Sequence, residues 1–271
     1  MPPHHQSRQI SYQLAHISGM GPILNIFRVT PLNRSISAIF GAFFVIGAGL
    51  SITYGIYDLI VKIALFGLSI NAITFFIALL IALGLFIPGS LSSANAIANW
   101  NKVVAVYSDG IAHSDIQGNQ IWKWRDIKWF TISITKNCIN GIHLKTTYLY
   151  TLQSKNGSIL KLDNCIEKIN DLGKVIEENI FPYQYASLHN QIQNGQTIKL
   201  GIVTINKDSL TVHKKAYNWN EIEYIEVKNG YIKIVKNLKS WFGDQKEPIS
   251  AIPNVTPLLT IISQNTKVII E

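Results

Sequence analysis

The residues with the clearest capacity for chemistry are lysines that lie beside aromatic side chains in the last quarter of the chain. They are Lys214, Lys215, Lys236, Lys239, Trp241 and Phe242, with Lys233 close by. Lysines near a membrane surface attract anionic lipid at about 1 kcal/mol each, and Trp favours the membrane–water interface. These residues therefore form a candidate anionic-surface site, provided that the chain turns near Asn237. The alternative is ordinary packing, in which the aromatic rings face a core and the lysines protect a sheet edge.

A second aromatic group lies earlier in the chain and has two interpretations. Trp122, Trp124, Trp129 and Phe130 follow one another closely. Such rings can line a pocket, but they also fill the core of a small β-rich domain, and core packing is the favoured interpretation.

No pattern of an enzyme, cofactor or metal site is found. The histidines and the two cysteines show no CxxC, HxxxH or HExxH spacing. Asp109 and Asp208 occupy comparable turn positions, which suggests a structural role. We therefore expect a non-enzymatic protein without catalytic residues, cofactor or metal.

The charge distribution weighs against nucleic-acid binding. Residues 102–271 hold 20 of the 24 basic and 15 of the 16 acidic residues, a net +5 within the total of +8. This mild excess lacks the dense basic stripe of a nucleic-acid surface. It suits a bilayer with anionic lipid as a partner.

The lysine-bearing segments follow two long apolar runs, 35–57 and 63–87, separated by Asp58 and Lys62. A bilayer core about 30 Å thick requires roughly 20 helical residues. The runs predict a transmembrane helical hairpin with its connection at 58–62. Gly47, Ser51 and Gly55, spaced four apart, predict close packing against Ala78 and Ala82 on the second helix.

Flanking charges predict the orientation of this hairpin. Arg28, Arg34 and Lys102 lie at its outer ends, against Lys62 alone in the predicted connection. The positive-inside rule then places both termini in the cytoplasm. An integral protein of a bacterial inner membrane is the expected location.

The remaining chain predicts β-structure arranged in two similar halves. Strand-like segments, such as 103–107, 222–227 and 231–235, are separated by turn signals such as Asn229-Gly230. Trp124-Arg-Asp-Ile and Trp219-Asn-Glu-Ile occur 95 residues apart in comparable surroundings. We expect both tryptophans to be buried in equivalent places.

Each half is expected to end in a helix. In the first half Asn164 is the predicted N-cap, Pro182 opens a second helix and Gly195 ends it. In the second half Pro253 is expected in the first helical turn. The predicted segments are an N-terminal cytoplasmic segment 1–34, a transmembrane hairpin 35–98, a first module 99–195 and a second module 196–271. A fragment without residues 1–98 should stay folded.

These elements follow the order of the pleckstrin-homology (PH) superfold, and this order occurs twice along the chain. The predicted fold is a membrane α-helical hairpin plus a β-rich α+β part: two PH-like antiparallel sandwich or barrel modules, each with a C-terminal helix. Four further elements are Tyr107-Ser-Asp-Gly-Ile, Leu172-Gly173, Trp219-x-Glu-Ile222 and Ile252-Pro-Asn254-Val. With these elements the sequence resembles an uncharacterised bacterial membrane family with such a hairpin and tandem PH-like domains. The resemblance implies membrane attachment and no assigned reaction.

Two functional hypotheses are favoured over a third, an enzyme whose site follows no recognised pattern. In the first, a membrane-anchored scaffold presents its modules to a protein partner or to the anionic membrane surface. In the second, the same scaffold handles a lipid or small ligand in a pocket between the modules.

Overall fold

A computed structural model describes residues 19–66, 72–99, 102–115, 118–139, 142–237 and 246–270. The chain forms two compact units. The first comprises the described residues of 28–104 and 113–120, and the second those of 17–27, 105–112 and 121–271. The second unit holds most of the predicted first module, all of the predicted second module that the structure describes, and a short N-terminal stretch.

The helices are α1 Pro31–Phe66, α2 Ala72–Asn99, α3 Ile169–Gln193 and α4 Val255–Ile262. The strands are β1 Ile23–Arg28, β2 Val103–Tyr107, β3 Gly110–Asp115, β4 Gly118–Lys123, β5 Ile127–Ile139, β6 Ile142–Ser154, β7 Ile159–Asp163, β8 Ile198–Leu200, β9 Val203–Ile205, β10 Ser209–Val212, β11 Lys215–Asn218, β12 Ile222–Lys228, β13 Tyr231–Lys236, β14 Lys246–Pro248 and β15 Lys267–Ile270. Short 3₁₀ helices span Trp124–Asp126, Trp219–Glu221 and Ile249–Ala251.

Helices α1 and α2 form an antiparallel hairpin with the predicted small-residue interface. The Ser51 hydroxyl donates a hydrogen bond of 3.0 Å to the Ala78 carbonyl. A Cβ at Gly55 would lie only 2.7 Å from the Ala78 side chain, so glycine is what permits the close approach. The outward face is apolar and exposed, for example at Phe43 with 74% exposure. The segments Ser35–Leu65 and Ile73–Asn99 are both long and apolar enough to cross a membrane.

The connection between these helices was predicted wrongly. Asp58 and Lys62 lie within α1, where their side chains pair at 2.7 Å. Thr74 of α2 also donates to the Asp58 carboxylate at 2.8 Å. An acid four residues before a base supports a helix instead of interrupting it. The two helices are therefore separated by residues 67–71.

Four sheets form among the described residues, with the orders β1-β2-β3-β4, β5-β6-β7, β11-β10-β9-β8 and β14-β13-β12-β15. None of these sheets closes into a barrel, contrary to that part of the prediction. The predicted strands 103–107, 222–227 and 231–235 are confirmed. Asn229 and Gly230 both have positive φ in the turn between β12 and β13, as the Asn-Gly signal indicates.

Two strands lie where no strand is expected. The first, β1, lies beside β2 and belongs to the predicted N-terminal cytoplasmic segment 1–34. The Ser108 and Asp109 amides donate to the Pro22 and Met20 carbonyls, so the two segments run antiparallel. Removing residues 1–98 therefore deletes an edge strand of this sheet. The second, β15, follows α4 and pairs in parallel with β12, so a strand follows the helix that was expected to close the second half.

Helix α3 is one continuous helix, whereas two were predicted. It contains Pro182, whose ring is exposed. The first predicted boundary also fails, because the helix begins at Ile169 and the Asn164 side chain instead bonds Tyr148 and Thr146 of β6. Gly195 ends the helix as expected, with φ +75° and its N–H on the Ile192 carbonyl. Pro253 precedes α4 and lies outside its first turn.

The buried side of α3 contributes to both halves of the second unit. Leu188 and Ile192 belong to the same buried cluster as the strands β8 to β13 and α4. The end of α3, which lies in the predicted first module, therefore packs in the core of the second half. Asn254 joins the halves further, as described below.

Candidate functional site

The two tryptophan motifs make corresponding hydrogen bonds in the two halves. The Trp124 N–H donates to Asp109 O at 3.0 Å, and the Trp219 N–H to Asp208 O at 3.4 Å. The indole of Trp124 donates to Tyr107 O and Ser108 O, and that of Trp219 to Lys207 O. Trp124 is 1% exposed, as predicted. Trp219 is only half-buried, so its predicted full burial was wrong.

The correspondence continues through the 3₁₀ helices that begin at these tryptophans. The Lys155 N–H donates to Asp126 O at 2.8 Å, and the Asn237 N–H donates to Glu221 O at 3.1 Å. Residues 126 and 221 lie 95 positions apart, the same offset as the two tryptophans. Lys155 in the first half therefore takes the place of Asn237 in the second.

Only part of the lysine–aromatic candidate site can be placed. Lys239, Trp241 and Phe242 lie outside the described residues. Lys214 lies in the turn between β10 and β11, and Lys215 begins β11. Lys236 ends β13.

Two of these lysines meet at one buried aromatic ring. The Nζ atoms of Lys215 and Lys236 lie 5.4 and 4.9 Å from the centre of the Tyr217 ring, within the range of cation–π attraction. Burial raises the pKa of Tyr217, and the nearby Lys236 opposes that rise. The structure thus brings together two strand ends that are 21 residues apart in sequence, with Lys214 at the adjacent tip. We call Lys214, Lys215 and Lys236 the basic surface.

Most of the earlier aromatic group is core. Trp122, Trp124 and Phe130 are buried. Phe130 stacks on Tyr150 of β6 with ring centres 5.8 Å apart. Trp129 differs, because it is half-buried and lines a cleft.

Of the residues that line this cleft of about 670 Å³, sequence reasoning singled out only Trp129 as a possible pocket residue. The cleft lies between β5, the turn after β6, the C-terminal half of α3, and β8, and so has walls from both halves of the second unit. Its lining includes Arg125, Lys128, Lys155, Lys199 and Gln184, and no Asp or Glu. Apolar lining comes from Ile127, Trp129, Leu188, Ile198 and Leu200.

Gln184 is the unusual member of this cleft. Gln184 is only 5% exposed, and its Nε2 has no hydrogen-bond partner among the described residues. Neighbouring buried positions on the same stripe of α3 are Ile176, Ile180, Leu188 and Ile192. The sequence signal was therefore available: Gln184 is the one polar side chain in an apolar i, i+4 series.

Asn254 holds the cleft wall where the two halves meet. Its Oδ1 accepts from the Phe130 N–H at 2.8 Å, and its Nδ2 donates to Lys128 O at 3.0 Å. Its own N–H donates to Phe130 O at 2.7 Å. The backbone of β5 at Lys128 is therefore fixed by a residue from the far end of the chain.

Comparison with known families identifies the family of this chain. Residues 4–269 match a family of unknown function, DUF6585. The chain belongs to this family. A search of curated proteins finds no match. The expectation of an uncharacterised family is confirmed, and the match covers the apolar helices, the basic surface and the cleft together.

Proposed function

We propose that this protein is a non-enzymatic binding scaffold, anchored in a bacterial inner membrane by α1 and α2, with both termini in the cytoplasm. Its second unit holds two PH-like modules that engage an anionic membrane surface or a protein partner. The matching tryptophan hydrogen bonds and the shared offset of 95 residues support a tandem repeat. The 3₁₀ helix that divides each half into two sheets supports the PH-like assignment.

The observation that carries this proposal is the convergence of Lys215 and Lys236 on Tyr217, beside Lys214. Their clustering on one surface suits attraction to anionic head groups, since exposed charges act within about 8 Å at physiological ionic strength. A carboxylate also lies near this surface, that of Glu247, which is 3.0 Å from Nε2 of His213.

The test uses a soluble form in which residues 19–29 are joined through a Gly-Ser linker to residues 102–271. We expect this form to co-sediment with phosphatidylglycerol vesicles but not with phosphatidylcholine vesicles, and to be released by salt. Lys215→Glu with Lys236→Glu should abolish most of the binding. Lys161→Glu, an exposed lysine on β7, is the matched control. Binding that is equal for both vesicles, or unaffected by the double change, would exclude the membrane-surface role and leave the protein partner.

A second candidate function is supported by the cleft. A volume of about 670 Å³ is within the range of small-molecule sites, about 300–1,000 Å³. In this alternative the scaffold handles a lipid or small ligand between its modules. The cleft and the basic surface share no residue, so the two functions can be tested separately.

A further inference from the structure

We propose that the cleft is a binding site for an organic phosphate, a phosphate group carried on a less polar body. This inference rests on the second candidate function and names its ligand class. It requires nothing of the basic surface.

The charge of the lining selects an anion with more than one negative charge. Arg125, Lys128, Lys155 and Lys199 contribute four positive charges, and no carboxylate lines the cleft. None of the four is ion-paired with a carboxylate among the residues that the structure describes. A phosphate monoester carries about −1.5 to −2 at pH 7 and presents three acceptor oxygens, whereas a single carboxylate carries one charge.

The fold does not require the basic lining, because the corresponding positions of the second half are not basic. At the offset of 95 residues Arg125 corresponds to Asn220, and Lys128 corresponds to Glu223. Lys155 corresponds to Asn237 through their matching backbone hydrogen bonds. The three positions that are cationic in the first half therefore hold two neutral residues and one acidic residue in the second half. The same local structure forms with either set, so the cations serve another purpose.

Gln184 supplies an independent reason to expect a ligand. A buried amide N–H without a partner is destabilising, and native proteins seldom leave one. A phosphate oxygen in the cleft would accept this hydrogen bond. Ser187 and Thr197 are further hydroxyl-bearing lining residues.

The apolar lining indicates that the phosphate is attached to a carbon skeleton. Trp129, Ile198 and Leu200 contribute apolar surface beside the cationic residues. An inorganic ion would leave this surface wet, whereas an organic body would cover it. A soluble phosphate ester and a phospholipid head group share this chemistry.

The test measures binding to the full chain in phosphatidylcholine nanodiscs by isothermal titration calorimetry. Glycerol 3-phosphate is the probe, and inorganic phosphate and glycerol are the comparison ligands. We expect saturable binding of glycerol 3-phosphate, weaker binding of inorganic phosphate and none of glycerol. Repeating the titration in nanodiscs that contain phosphatidic acid distinguishes the sources: loss of glycerol 3-phosphate binding indicates a lipid head group, and unchanged binding indicates a soluble ester.

Two sets of variants connect the binding to the named residues. Gln184→Leu removes the amide at similar volume and should weaken binding about ten-fold, as for a lost hydrogen bond to a charged group. Its thermal midpoint should not fall, because an unpaired buried amide is also removed. Arg125→Asn with Lys155→Asn uses the residue types of the second half and should weaken binding at least as much. Lys161→Gln, outside the cleft, should have no effect.

Absence of saturable glycerol 3-phosphate binding to the folded wild-type chain would overturn the proposal. The proposal would also be overturned if the double variant, Arg125→Asn with Lys155→Asn, bound glycerol 3-phosphate with the same affinity as the control Lys161→Gln. Because the readout is a soluble ligand on a protein already in a neutral bilayer, either result leaves the vesicle test of the basic surface unaffected.

Discussion

At the scale of single residues, Gly173 shows how closely α3 approaches the sheet beneath it. A Cβ at this position would lie 2.2 Å from Cζ of Tyr150, whose ring is buried. Burial, with the neighbouring Tyr148 and Glu177, raises the pKa of Tyr150 to about 12. The tyrosine hydroxyl therefore stays neutral, and the ring acts as packing material for the helix.

We predict that Gly173→Ala lowers the free energy of unfolding by about 1–3 kcal/mol, the usual cost of overpacking. Chemical denaturation of the detergent-solubilised chain measures it. The loss should shrink when Tyr150→Ala is combined with it, because the clash is then removed. Gly49→Ala, whose Cβ would meet nothing within 4 Å, is the control. Additive effects of the pair would contradict this account.

His113 introduces a pH dependence at the same scale. Its side chain is 3% exposed, and its Nδ1 lies 3.7 Å from the Asp115 carboxylate. Burial holds the pKa of His113 below its ordinary value, Asp115 opposes this effect and Lys102 adds to it. A lowered pKa means that the unfolded chain takes up the proton first as the pH falls. The stability contribution is therefore present above the unfolded pKa of about 6.5 and is lost below it.

We expect His113→Leu to remove part of the acid sensitivity of folding. Between about pH 7.5 and about pH 5 the thermal midpoint of the wild-type chain should fall further than that of the variant. Differential scanning calorimetry over this range measures both slopes, and parallel slopes would rule out His113 as the cause.

At the scale of elements, the junction between the halves depends on the loop that precedes α4. Asn254 has φ +55°, a left-handed conformation that Asn tolerates better than most residues. The side-chain amide of Asn254 forms hydrogen bonds with the backbone of β5, as a neighbouring strand would.

We predict that Asn254→Gly lowers the free energy of unfolding by about 1–3 kcal/mol, because it preserves the backbone conformation but leaves two polar backbone groups of β5 unpaired. Asn254→Ala should cost more, since it adds backbone strain. Asn229→Gly, at φ +52° in an exposed turn, is the matched control and should be nearly neutral. Equal effects at positions 229 and 254 would show that Asn254 does not hold the halves together.

Local patterns predicted most of these elements, and long-range ones were missed for physical reasons. Alternation and Asn-Gly turns identify strands such as β12 and β13 because both signals lie within a few residues. Pro182 predicts a helix start because proline lacks an N–H, yet burial of the residues around it keeps α3 continuous. The cleft joins residues as distant as Arg125 and Lys199, and only the repeat offset or the position of Gln184 hints at it. Residues 238–245, which hold half of the predicted site, are not described.

At the scale of the whole molecule, β1 connects the N-terminal segment with the β-rich unit. Strand β2 is buried along its entire length and lies between β1 and β3. Deleting residues 1–98 would expose one edge of β2, and an exposed apolar edge promotes association.

We therefore predict different behaviour for two soluble fragments. Residues 99–271 alone should aggregate or unfold at lower denaturant concentration. The fragment with residues 19–29 linked to 102–271 should be monomeric, because β1 is restored beside β2. Size-exclusion chromatography and urea unfolding compare them. A monomeric, equally stable 99–271 fragment would show that β1 is dispensable.

The proposed orientation makes a prediction about accessibility. In a chain with Cys138 and Cys165 replaced by Ser, Ser69→Cys lies between the two apolar helices and Ser158→Cys lies on an exposed turn of the second unit. On intact cells an impermeant thiol reagent should label position 69 and not position 158. The reverse result would invert the orientation, and labelling of neither position before lysis would argue against a spanning hairpin.

In the proposed membrane-anchored form, the position of β1 also links the order of synthesis to correct insertion. This strand leaves the ribosome before either apolar helix, whereas its neighbour β2 follows both. If α1 and α2 span a bilayer as proposed, the two strands can meet only when the intervening chain crosses it an even number of times. A nascent protein with one helix left behind would keep the strands on opposite sides and could not complete the sheet. Folding of the β-rich unit would thus be completed only in chains whose two apolar helices are both inserted correctly.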